Sequence, residues 1–454
     1  MTYVPGSSVR NIIQAAMRLD DSCSNEELGS IFTQNDSRTA IGRVSTKIAL
    51  KNKAAACRMI TNGTSSANHI AVMALAAPGT KTILSRDVHL SVAVGAMLAR
   101  AKVNWIYPLY DEDLGVLLPV RPLDVALALR SNPDVRLVAV NGVTYDGLAP
   151  STPAIAALCD AHAAVLMMDE AHGSHFRGLH ALGFPQPSIT LGAKIVTQSP
   201  HKTMNALSQA SLILLADTEL CGPIDRFMNL LCSTSSSVLL MQSLEFAMAD
   251  HDRHGHSEWS TAVDSAQSAA EQLRRIDGVR VLDRRDVVPH AAEAIDPSRL
   301  TINVRGLGIT GFEVAGLLYK DGIVVEKATF DCILVLFPPR ERRISDRLVA
   351  ALENMDRYRK KRLAPMPYVQ SSNDVAMSMH EAFFCANRET VRLSHAVGRI
   401  SAEMLTAYPP GQLIVAPGEV FSSDLVALLS SVVAKGGILK GFNKGSIANV
   451  AVVK

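Results

Sequence analysis

Gln198-Ser-Pro-His-Lys202-Thr-Met-Asn-Ala-Leu-Ser-Gln209 is the stretch on which the reading of this chain turns. It sets Lys202 a few residues after the short apolar run 193–196, with Ser199 and His201 just ahead of it. Thirty-three residues upstream of Lys202, a second apolar run, 163–168, ends in Asp169-Glu-Ala-His172. Both runs read as buried strands, and the polar residues follow the strands rather than precede them.

Working outward, further strands are expected at 55–60, 82–85, 103–108, 135–140 and 211–215, beside 164–168 and 194–197. Segments of helical period, such as 66–77 and 123–130, lie between them. Strands alternating with helices predict an α/β fold with a mainly parallel sheet covered on both faces and ligands at the carboxyl ends of the strands. Residues 1–36 read as an N-terminal arm, with a helix near 9–19. Residues 37–250 read as a large domain, 251–365 as a small α+β domain and 366–454 as a C-terminal domain. A long helix is expected over 237–273, smaller-domain strands at 279–282, 299–304 and 333–337, a linker at 360–373, and late helices at 378–386 and 425–435.

A carboxylate at one strand end and a lysine at a later one is the pair that pyridoxal phosphate requires. The amine holds the aldehyde as a Schiff base, and Asp169 keeps the pyridine nitrogen protonated, which makes the ring an electron sink. Ala171 is small enough to lie against one ring face, and His89, in Ser85-Arg-Asp-Val-His89, suits the other. Thr61-Asn-Gly63-Thr64-Ser65-Ser66 places a glycine and hydroxyls at a helix start, an anion site. Ser199 and His201 can donate to the same phosphate. Thr144-Tyr-Asp-Gly147 follows another strand and could complete these contacts. Each feature also has a plainer reading: a surface lysine, a helix cap, an Asp-Gly turn. It is their combination that carries the coenzyme. His251, His254 and His256 read as a solvated helix face, and no metal site is expected.

Composition narrows the classes further. The 454 residues are 48% hydrophobic and 19% charged, with a net charge of +2, which gives no pull toward nucleic acid or membrane. The seven cysteines form no CxxC pair, no apolar run reaches spanning length and no signal-peptide pattern opens the chain. A soluble, cytoplasmic protein is expected.

Asn62-Gly-Thr-Ser65, Arg86-Asp-Val-His89, Thr144-Tyr-Asp-Gly147, Asp169-Glu-Ala-His172 and Ser199-Pro-His-Lys202 together resemble, in order and spacing, the ornithine/lysine/arginine decarboxylase family of the aspartate-aminotransferase fold (fold type I of the coenzyme's enzymes). Gly398-Arg-Ile-Ser-Ala-Glu403, Tyr408-Pro-Pro-Gly411 and Pro417-Gly-Glu419 resemble that family's C-terminal domain. The resemblance implies Lys202 as the Schiff-base lysine, Asp169 as the pyridinium partner, His89 stacked on the ring and His172 beside it, near the substrate carboxylate. It implies Thr64, Ser65, Ser199 and His201 around the phosphate, and Ser233 and Thr234 in a loop reaching a neighbouring subunit's phosphate, hence a homodimer with shared sites. The implied reaction is α-decarboxylation of arginine, lysine, ornithine or a derivative. An aminotransferase, oxidase, racemase or cyclase could use the same scaffold. Both Lys202 and Asp169 being present argues against a catalytically silent relative. Asp146, Glu170 and Glu326 are the acids available for a distal amine or guanidinium, and the sequence does not choose among them. The chain departs from larger members in lacking a response-regulator-like wing domain, in keeping only Val4-Pro-Gly6 of an N-terminal motif, and in having Leu90 after His89.

Overall fold

The computed structural model describes residues 33–287, 292–339, 344–358, 360–365, 373–408, 412–434, 438–441 and 449–454. The expected helix near 9–19, the Val4-Pro-Gly6 motif and Pro409 to Gly411 lie outside them.

All seven strands read from apolar runs join one sheet: β1 (Ala56–Ile60), β2 (Lys81–Ser85), β3 (Lys102–Ile106), β4 (Leu137–Asn141), β5 (Val165–Asp169), β6 (Ile195–Gln198) and β7 (Ser211–Leu215). Their order is β3-β2-β4-β5-β6-β7-β1. Pairing is parallel from β3 through β6, whereas β7 is antiparallel to both β6 and β1. Every residue of β6 and β7 is buried, the burial pattern of a sheet covered on both faces. The fold is α/β with a mainly parallel central sheet.

Helix α1 (Gly63–Leu75) follows β1, and α2 (Leu90–Leu98) follows β2. They pack together, with Gly95 of α2 so close to α1 that a Cβ would stand 3.1 Å from Val72 Cβ. The carboxyl ends of β1, β2, β4, β5 and β6 therefore converge on one rim. Register sharpens this, because Asn141, Asp169 and Thr197 are neighbours across three strands.

The long helix α3 (Val238–Leu273) runs unbroken through the expected 250/251 boundary. Its first part buries Met241, Leu244 and Met248 in the core of the large sheet. Its second part buries Trp259, Ala262, Ala266 and Leu273 in a separate core. That second core lies under an antiparallel sheet of Arg280–Val281, Arg299–Asn303, Cys332–Leu336 and Lys327–Ala328. The start of the expected linker is tied to this unit, since Lys360 N donates to Leu307 O and Leu363 N to Arg305 O. A third core, including Leu393, Val415, Phe421, Leu425 and Val452, gathers the C-terminal strands and the helix Ser423–Ala434.

Candidate active site

At the rim of the sheet Asp169 closes β5 and is 5% exposed. Its Oδ2 accepts from Asn68 Nδ2 at 2.8 Å and its Oδ1 from Ala171 N at 3.1 Å. Asn68, on α1, also donates to Ser91 Oγ (2.9 Å) and accepts from Thr197 Oγ1 (2.7 Å). Ser91 Oγ in turn lies 2.7 Å from His89 Nδ1. One buried amide thus links the acid, the strand bearing the lysine segment and the histidine that caps α2.

Lys202 ends its segment on a one-turn helix, Pro200–Thr203, and its Nζ lies 3.1 Å from His172 Nε2. Burial pulls the Lys202 pKa below the ordinary lysine value; Asp169 opposes this, Arg299 adds to it and Glu326 opposes it. Burial likewise drives His172 well below the usual imidazole value, helped by the charges of Lys202 and Arg299. Burial also lowers His89, although the residue as a whole keeps an exposed surface; Asp169 counters the shift. Both histidines are held neutral at neutral pH.

Thr64 and Ser199 come together, their hydroxyls 2.5 Å apart and buried. Gly63 precedes Thr64 at a φ of +80°, a backbone that glycine adopts without strain. Ser65 is exposed at the same helix start. His201 Nδ1 faces Ala210 O at 2.9 Å. Ser233 and Thr234 are exposed in their own loop and do not line the Lys202 cavity.

That cavity measures about 540 Å³ and is lined by Tyr145, His172, Lys202, Trp259, Arg299 and Glu326, among others. Arg299 is fixed by three partners: Asp296 Oδ2, Tyr145 O and His172 O. Burial pushes the Asp296 carboxyl up, but the nearby His175 and Arg299 outweigh it and hold the group well below the usual range. His175 stacks on Trp259 at 4.2 Å. Gly147 turns at a φ of +86°, where a Cβ would stand 2.9 Å from Arg299 Cδ. His251 is a correction to the solvated reading: it is half-buried, lines the cavity and meets Arg177 O at 2.8 Å through Nε2. Burial lowers it to about 4. His254 faces Asp250 Oδ1 at 3.0 Å.

Of the three acids left open by the sequence, two are already engaged. Asp146 accepts from Lys327 Nζ at 2.6 and 2.5 Å and from Thr301 Oγ1 at 2.9 Å. Glu170 is fully buried and accepts from Ser188 N, Ser188 Oγ and Gln198 Nε2. Glu326 is exposed to the cavity and accepts from Tyr145 OH at 2.8 Å.

Burial raises Glu170 from 4.5 to about 6 against those hydrogen bonds. The folded state therefore binds this proton more tightly than the unfolded chain. Its stabilising effect is complete below pH 4.5 and disappears as the pH rises through about 6, about 2 kcal/mol in all. Glu170→Gln is expected to recover that loss above pH 6 and to change little at pH 4.5. The glutamine can still accept from Ser188, and the partnerless Gln198 Oε1 can turn to accept its amide. Urea unfolding of both proteins at pH 4.5 and 7.5 checks this; an equal difference at the two pH values contradicts it.

Comparison with known proteins gives the family. Residues 9–345 match Orn/Lys/Arg decarboxylase, major domain, and residues 363–445 match Orn/Lys/Arg decarboxylase, C-terminal domain. Arginine decarboxylase of Bacillus subtilis is 29% identical over 403 residues, covering 86% of this chain and 81% of that protein. Constitutive lysine decarboxylase of Escherichia coli is 25% identical over 498 residues, covering 90% of this chain and 69% of its own. In structure, lysine decarboxylase LdcF of Francisella novicida superposes with a TM-score of 0.79 at 19% identity, over 100% of this chain and 79% of its own. An alanine–glyoxylate aminotransferase from Nostoc sp. shares the fold at a TM-score of 0.57 and 15% identity, over 75% of this chain and 92% of its own. With the family matched from residue 9 to 345 and again from 363 to 445, the chain belongs to the Orn/Lys/Arg decarboxylases.

Proposed function

We propose that the protein is a pyridoxal-phosphate-dependent decarboxylase that converts arginine, lysine, ornithine or a derivative into the amine and carbon dioxide. One observation carries this reading: an amine of lowered pKa, Lys202, opens into a cavity whose lining also offers the carboxylate of Glu326. Family membership supports the reaction, and nothing in the site favours transamination, oxidation, racemisation or cyclisation.

The donor set fits the coenzyme. Asp169 would meet the ring nitrogen, Lys202 the aldehyde, His89 and Ala171 the two ring faces. Thr64, Ser65, Ser199 and His201 would surround the phosphate at the start of α1. When bound, the coenzyme supplies an electron sink for the bond broken at the substrate's Cα.

The chain's own groups do the rest. Burial keeps more of the Lys202 amine neutral than an exposed lysine would have, so Nζ is available as a nucleophile. Neutral His172 offers Nε2 as a proton acceptor 3.1 Å from Nζ. The same pair, Lys202 Nζ and His172 Nε2, can return a proton to Cα of the product. Arg299 holds the backbone carbonyl of His172 and so its ring. Glu326 takes the substrate's distal cation, with Tyr145 OH orienting the carboxylate.

Residues 37–250 are assigned to coenzyme binding, 251–365 to the small domain that carries Glu326 and 366–454 to the C-terminal domain, after an arm at 1–36. The exposure of Ser233 and Thr234 supports a homodimer in which that loop reaches a neighbour's phosphate.

Purified protein supplied with pyridoxal phosphate is expected to release carbon dioxide from at least one of arginine, lysine and ornithine, with the matching amine by mass. Glu326→Gln should raise KM by about tenfold or more, because a hydrogen bond to a charged group is worth roughly 1.5–3 kcal/mol. Keto-acid formation without carbon dioxide overturns the reading.

A further inference from the structure

The C-terminal domain shares the core of the large sheet through Met379, Met404, Leu413 and Ala416 and adds one buried ion pair at the rim. Arg86 Nη1 and Nη2 donate to Glu419 Oε1 and Oε2, each at 2.7 Å. The side chains are only 4% and 2% exposed. Arg86 also donates to Ile414 O at 2.8 Å and lies 4.6 Å over the Trp105 ring. Glu419 Oε2 accepts further from Asn373 Nδ2 (2.7 Å) and Ala416 N (2.9 Å). A bidentate fork of this kind fixes direction as well as distance, and removing one partner strands the other charge out of water.

Both partners sit on rigid backbone. Glu419 follows Gly418, whose φ is +88° and whose Cβ, if present, would stand 2.2 Å from Met377 O. Gly418 N donates to Ser401 O. Arg86 follows β2 directly, and Asp87 beside it is held by Asn141 Nδ2 at its carbonyl oxygen (2.7 Å) and at Oδ2 (2.8 Å). The loop that ends in His89 is thus pinned from the sheet by Asn141 and from the C-terminal domain by Glu419. Beyond those pins His89 is joined through Ser91 and Asn68 to Asp169.

We infer that Arg86 and Glu419 are positioning residues for the coenzyme site: through this pair the C-terminal domain sets the place of His89. Coenzyme affinity then depends on a domain from which, among the described residues, none lines the Lys202 cavity. The inference rests on the proposed role of His89 at the ring.

The test uses the full chain with Glu419→Gln and Arg86→Lys, each made alone and in a His89→Ala background. Pyridoxal phosphate affinity is read by titrating stripped protein and following visible absorbance. Amide hydrogen exchange of residues 86–92 is read without coenzyme. Either substitution is expected to weaken affinity by about 10–100-fold, the usual range for a supporting contact, and to speed exchange at 86–92. In the His89→Ala background the same change should add less than about twofold, since the two share one route. Arg86→Lys keeps the charge but loses the fork, so it serves if Glu419→Gln fails to fold. A lower Tm with affinity and exchange unchanged overturns the inference, as does an equal loss with and without His89. If the unsubstituted protein takes up no coenzyme, the proposed function falls, and the exchange at 86–92 alone decides whether Glu419 holds the loop.

Discussion

Lys202→Ala is expected to abolish coenzyme retention through dialysis and to lower kcat on the order of 10⁴-fold or more, as losses of a covalent nucleophile do. The reason lies in what the amine cannot be replaced by. Among the described residues lining the cavity it is the only lysine. Lys327 is engaged with Asp146, and Lys194 lies at the opposite end of β6, near Asp160. Stability should hardly change, because Lys202 is exposed to the cavity and its one hydrogen-bond partner, His172, is already neutral. Visible absorbance after dialysis, with kcat measured by carbon dioxide release, checks the result. Retained absorbance in Lys202→Ala would move the covalent role to another residue and break the proposed mechanism.

Asp169→Asn is expected to separate binding from chemistry. The covalent anchor survives, so coenzyme absorbance should persist, while kcat falls about 10²–10³-fold, the scale for removing a preorganised charge from a buried site. The substitution also disturbs the fold, because Asn68 Nδ2 and Ala171 N both donate to this carboxylate. An asparagine can accept from only one side, and the donor left over costs about 1–3 kcal/mol. Titration with coenzyme, single-turnover kinetics and Tm together check this. A variant with unchanged kcat would show that the acid merely caps the turn after β5.

The positions of the seven strands were legible because each is a short, mostly apolar run, and all but the edge strand β3 are buried nearly throughout. The opposite direction of β7 was not marked, since burial on both faces carries no polarity of the strand. A trace of it exists: only twelve residues separate Gln198 from Ser211, close to the least a parallel crossover needs. That Thr64 and Ser199 share one neighbourhood, and that His172 stands near Lys202, followed from motifs at strand ends, though the contacts themselves did not. The hub role of Asn68 did not, because it rests on three partners brought from α2, β5 and β6. Nor did the division of labour among acids. Asp146 and Glu170 are set apart from Glu326 only by their captors, Lys327 and Ser188, which are distant or unremarkable in sequence. His251 was misread as solvated because its neighbours Asp252, Arg253 and His254 are exposed while it alone turns inward.

The helix Val238–Leu273 roots itself in two hydrophobic interiors, with Met241 and Leu244 at one end and Ala266 and Leu273 at the other. Neither half of the molecule can be excised as a free-standing cassette. A cut near Gly255 would bare the greasy underside of both stubs and leave each fragment prone to clumping. Recombination between relatives is therefore constrained to exchange these two units together, and the C-terminal unit goes with them, because its Met379, Met404, Leu413 and Ala416 share the interior of the large sheet.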